Sequence, residues 1–143
     1  MSNKIWFSWL LLLAIGMMGF GVFMALFNGS ELFRPFNEGI DPAFWHGGVV
    51  PEAAREFKTW VYGTWGATIA GWGIFLVYVL VFPFRRNDPW AWWCFIIGIV
   101  VWFVFDTAIS LYHRVYFNAG FNTLIFLLAL VPLIATRKDF AKK

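Results

Sequence analysis

Residues 102–122 read WFVFDTAISLYHRVYFNAGFN. They close the third of four apolar runs and turn the chain into the fourth, and they hold Asp106, the only formally charged side chain inside any of those runs. On a helix successive residues advance by about 100°, so Asp106, Ser110 and His113 share one face, with Trp102 one turn before Asp106. A carboxylate, a hydroxyl and an imidazole thus line up where hydrocarbon is the default solvent. An ionisable residue in a membrane span is costly and as a rule faces the bundle interior. It therefore marks a candidate functional site.

Composition makes lipid the solvent for most of this chain. Of 143 residues, 61% are hydrophobic and 13% charged, where a soluble domain carries about a quarter charged. There is room for one membrane domain, spanning 1–143, and none for a second folding unit of ordinary size. The net charge of +3 is modest and reads as membrane topology, not as a nucleic-acid surface. Cys94 is the only cysteine, which excludes an intrachain disulfide and any Cys-pair metal or redox motif.

The first span, 5–27, is uncharged and long enough to cross a hydrocarbon core of ~30 Å. Its apolar part is too long for a signal-peptide core and no A-x-A-like site follows, so a retained helix is expected. Trp6 and Trp9 stand where an interfacial aromatic belt belongs, and Gly16, Gly19 and Gly21 allow close approach of a neighbouring helix. Residues 28–59 form the one long loop, expected to be partly ordered by Phe33, Phe36, Phe44 and Trp45. Pro51-Glu52 is a good helix start, so the second helix is placed from Pro51 to about Phe82, with its membrane part from Trp60.

Within that helix Gly63, Ala67 and Gly71 recur every four residues, as do Gly66 and Ala70. These strips predict helix packing, against either the first helix or another subunit. Thr64 and Thr68 either offer hydroxyls at the depth of Asp106 or bond back to carbonyls of their own helix. Asp88-Pro89 predicts a capped start for the third helix, 89–113. The fourth span, 117–136, reads as shorter, with Pro132 tolerated near its end and RKDFAKK as a basic anchor.

Orientation follows from the cations. With both termini cytoplasmic, the inner side holds Lys4, Arg85, Arg86, Arg137, Lys138, Lys142 and Lys143. The outer side holds only Arg34, Arg55, Lys58 and Arg114, the first three diluted by the acids of the long loop. The expected fold is an all-α integral membrane protein: an antiparallel bundle of four transmembrane helices, N-in and C-in, with one long outer loop. A bacterial cytoplasmic membrane is the expected location.

This topology gathers His46, Glu52, His113 and Asn118 at the outer mouth, with Asn122 one turn beyond Asn118 and Asp106 about 9 Å below that face. A metal or haem site needs imidazoles or thiolates in pairs at set spacings. Only His46 and His113 exist, on different segments, so no metal and no cofactor is expected. A Ser-His-Asp triad is suggested by composition alone, since side chains stacked on one helix face do not form the nucleophile–base–orienter chain.

Two readings of the site remain. In one, Asp106 accepts hydrogen bonds from Asn122, a threonine or a histidine and pins two helices together. The chain is then a non-enzymatic accessory protein packing against lipid, a partner subunit or a second copy. In the other, Asp106, Ser110, His113, Asn122, Trp102, Thr64 and Thr68 line a pocket for a lipid-like or quinone-like head, walled also by Trp65, Phe103 and Phe105. A proton-coupled oligomeric transporter is more remote, since the other three spans carry no charge. Four short spans with an intramembrane aspartate and many tryptophans resemble the sterol-isomerase and sigma-2-receptor group. That group has acidic residues in more than one helix, which this chain lacks, so no function is carried over from it.

Overall fold

The computed structural model describes residues 2–45 and 49–141. His46, expected at the outer mouth, lies outside them. The described residues are all-helical: α1 (Ser2–Phe27), α2 (Arg34–Ile40), α3 (Glu52–Val81), α4 (Pro89–Tyr112) and α5 (Tyr116–Phe140), with short 3₁₀ turns at Glu31–Phe33, Asp41–Ala43 and Phe84–Arg86. Four helices, α1, α3, α4 and α5, are long and apolar enough to cross a membrane.

Local chemistry accounts for most boundaries. Pro51 is extended (φ −56°, ψ 148°) and Glu52 opens α3, its acid in the turn where peptide dipoles leave positive charge. Pro89 starts α4 with its φ already set. The Asp88 carboxylate, expected to cap that start, makes no cap hydrogen bond, so proline alone carries the signal. α5 does not stop at 136. Arg137 and Lys138 continue its last turn, where cations complement the negative helix end. Phe140 is buried against Phe84, ring centroids 4.6 Å apart, and holds that turn in place.

α1 packs along α3 on one side and along α5 on the other, α5 packs along α4, and α3 and α4 meet chiefly through the Phe84 turn. Leu10, Ala14, Leu80, Phe84, Trp92, Phe95, Leu133 and Phe140 draw all four long helices together at that end. A second cluster, Met24, Phe33 and Tyr62 with Phe20, Phe23 and Phe36 against it, closes the opposite end under the loop. There Phe36 sets its edge against Phe117 and Phe121 of α5, so the short α2 lies across the ends of the long helices.

The strip that seats α3 on α1 is not the one formed by Gly63, Ala67 and Gly71. A Cβ on Gly66 would stand 2.5 Å from the Ala25 nitrogen, and one on Gly73 2.6 Å from the Met18 Cβ. One on Gly21 would collide with the backbone of Ala70 and Gly66. Gly63 has room, its nearest neighbour being the Ala25 oxygen at 3.8 Å. Gly16, Gly19 and Gly71 have nothing within 4 Å, and Ala67 is exposed. Backbone-to-backbone contact therefore runs through Gly66, Ala70 and Gly73 against Met18, Gly21 and Ala25.

Pro132 explains a second helix contact. Having no N–H, it leaves the Leu128 carbonyl, four residues earlier, without its helical donor. The Trp9 indole of α1 donates to that oxygen at 2.9 Å. The Trp92 indole of α4 donates to the Leu133 oxygen at 2.8 Å, so both neighbours of α5 are tied to its proline turn. We expect Trp9→Phe to destabilise the wild-type chain by about 1 kcal/mol, the net worth of one hydrogen bond. In a Pro132→Ala background, where a backbone N–H is restored, the same change should cost almost nothing. Unfolding in mixed detergent micelles of all four chains measures the coupling, and an equal cost in both backgrounds would refute it.

Candidate functional site

The hairpin between α4 and α5 places the site. Tyr112 ends α4, and His113 follows with φ −86° and ψ 5°. Arg114 then takes a left-handed conformation (φ 61°). The Val115 N–H returns to the Ser110 oxygen at 2.8 Å and the Arg114 N–H to the Leu111 oxygen at 3.1 Å. This pair of bonds closes a helix in the Schellman manner, with arginine where glycine is usual. The turn is so short that Asp106 and Asn122, each eight residues from Arg114, come to the same level on facing helices.

Asp106 Oδ1 accepts from Asn118 Nδ2 at 2.7 Å and from Asn122 Nδ2 at 2.8 Å. The second hydrogen of the Asn118 amide goes to Ser110 Oγ at 2.8 Å, and that of Asn122 reaches Thr107 Oγ1 at 3.5 Å. Ser110 has one proton to give. Its Oγ stands 2.7 Å from the Asp106 backbone oxygen and 3.3 Å from Oδ1, so the backbone takes it. Asn122 and Ser110 are buried and Asp106 is half-buried. The two amides thus stand where a counter-cation would. The ion pairs of Arg34 with Glu31 and Glu38, Arg55 with Glu52 and Lys58 with Asp41 lie elsewhere, in the loop and the start of α3.

Of the residues proposed from sequence, Asp106, Ser110 and Asn122 come together, and Asn118, expected only at the mouth, is a direct partner of the carboxylate. Thr107, next to Asp106 in sequence, joins them through Asn122. His113 does not. It is the C-cap of α4, its N–H still bonded to the Ile109 oxygen at 3.1 Å, but its exposed ring lies beside Phe44 (5.7 Å) and Tyr112 (5.0 Å) and outside the hydrogen-bond set. Trp102 is half-buried on the same helix.

Thr64 and Thr68 are on α3, whose packing is chiefly against α1. Thr64 donates to the Trp60 and Val61 oxygens and Thr68 to the Thr64 oxygen, each within its own helix. Of the expected aromatic walls, Phe105 and Trp65 are exposed, while Phe103 stacks on Phe126 at 4.2 Å. Glu52 is exposed and pairs with Arg55 at 3.5 Å.

No family model, curated protein or solved structure matches this chain. Ser110 spends its proton on a backbone carbonyl, and no imidazole among the described residues bonds to it, so no nucleophile–base pair forms among the described residues. What the site has is one carboxylate oxygen on α4, Asp106 Oδ1, held by two amide donors from α5. Such an arrangement fixes one helix against the other.

Proposed function

We propose that this chain is a small non-enzymatic integral membrane protein, an antiparallel up-and-down bundle with both termini cytoplasmic. It packs as an accessory component against a partner subunit or lipid, in a membrane of the bacterial cytoplasmic type. The observation that supports this reading is the hydrogen-bond set at Asp106 Oδ1: both amide donors to that oxygen are side chains of the chain itself. A ligand head that took Oδ1 would first have to displace Asn118 or Asn122. The open flank of α1 at Gly16 and Gly19 gives a partner helix room for close approach.

The test has two parts. A reporter fused after Lys143 is expected to read cytoplasmic and one inserted at Gly39 exoplasmic; an exoplasmic tail would overturn the orientation. Native mass spectrometry in mild detergent is expected to show a stoichiometric protein partner or a second copy. A chain that stays monomeric without a co-purifying subunit would overturn the accessory role.

A further inference from the structure

Away from Asp106, the loop and the start of α3 enclose a cleft of about 190 Å³. Phe44, Trp45, Phe57 and Tyr62 contribute aromatic walls, Ala54 lines it, and Lys58 brings a charged group to it. Lys58 Nζ holds both oxygens of Asp41, at 2.8 and 2.7 Å, with side chains only 14% and 15% exposed. The same ammonium lies 5.7 Å from the centroid of the Tyr62 ring. An ammonium has three N–H donors. Asp41 offers acceptors for two, and among the described residues no other acceptor takes a hydrogen bond from Lys58.

Three properties define what fits. The Asp41–Lys58 pair is neutral and largely desolvated, so a further anion would meet the Asp41 carboxylate and a cation would meet the ammonium; the head must be uncharged. The donor left on Lys58 calls for an acceptor, and the rings call for a flat group that can stack or meet them edge-on. The cleft falls below the ~300 Å³ at which pockets begin to enclose a whole drug-sized ligand, so it admits a head and not a body. Lys58 stands two residues before Trp60, where the apolar run begins, which is ~3 Å along the helix axis. The rest of the molecule therefore lies in lipid.

We infer that this cleft binds the uncharged carbonyl head of a bilayer-soluble amphipath, a quinone-type ring hydrogen-bonded to Lys58 between the aromatic side chains. This goes beyond the accessory role and fails independently of it, since its readout is a bound small molecule and not a protein partner. A glycerolipid ester offers the same carbonyl chemistry without the flat ring, and the experiment separates the two.

The full chain in mild detergent is titrated with a decyl-substituted benzoquinone, with dioctanoylglycerol and with decanoate anion, and one-to-one mass addition is read by native mass spectrometry. The quinone is expected to bind. Asp41→Asn with Lys58→Met, which keeps the site neutral but removes the ammonium, should weaken it about tenfold or more, the loss of one hydrogen bond from a charged donor. Ala54→Phe should fill the cleft and abolish binding with the helical melting curve retained, and Asp106→Asn should leave it unchanged. Diacylglycerol binding with the same sensitivities would support the carbonyl chemistry and assign the ester as its source. Preference for decanoate, binding untouched by both cleft variants, or no addition of either carbonyl probe would overturn the inference.

Discussion

Gly66→Leu is expected to separate α1 from α3 and to be among the most damaging single substitutions in this chain. The atoms that a Cβ at Gly66 would meet are the Ala25 nitrogen, the Gly21 oxygen and the Ala25 Cα, at 2.5, 2.7 and 3.0 Å. All are backbone, so no side chain can turn aside. Overpacking typically costs about 1–3 kcal/mol where side chains can shift, and a rigid opposing helix puts this case at or above the top of that range. Gly71→Leu meets nothing within 4 Å and, like most substitutions away from packed features, should stay within about 0.5 kcal/mol of wild type. Unfolding both variants in mixed micelles separates them. Equal losses would mean that α1 and α3 do not approach at Gly66 as closely as described.

This contrast also marks what sequence can and cannot reveal here. Apolar run length and the prolines at 51 and 89 are local signals, and they located all four long helices. The choice between strips was not local. Gly63-Ala67-Gly71 and Gly66-Ala70 share one period and differ by three residues, a rotation of about 60° on the helix. What selects between them is Gly21 and Ala25 on another helix. The end of α5 was hidden for the same kind of reason, since a basic tail reads as a stop until Phe140 finds Phe84. The polar site was half legible. Asn118 and Asn122 follow from the shortness of the turn, but the ring of His113 lies beside Phe44, a loop residue that no local signal pairs with it. Thr64 and Thr68 stood equally for two outcomes, and only the pairing of α3 with α1 decides against a shared pocket with Asp106.

At Asp106 the prediction separates a structural acceptor from a functional charge. Asp106→Asn keeps the shape and an acceptor oxygen for Asn118 and Asn122, so it should cost about 1 kcal/mol or less, the difference between a charge-assisted and a neutral hydrogen bond. Asp106→Leu removes the acceptor altogether. Asn122 is 2% exposed, so its amide cannot turn to water. Leaving such a group unpaired costs ~1–3 kcal/mol, with the lower end favoured because hydrogen bonds in membrane proteins average ~0.6 kcal/mol in double-mutant cycles. Replacing both partners removes that penalty, so Asp106→Leu with Asn122→Leu should recover most of the loss. His113→Gln, at an exposed position outside the hydrogen-bond set, should move nothing. A functional carboxylate would behave in the opposite way: Asp106→Asn would abolish activity or ligand retention at unchanged stability, and the double leucine variant would rescue neither. If Asp106→Asn unfolds as readily as Asp106→Leu, or the double variant is worse than either single, the clasp between α4 and α5 is not what Asp106 provides.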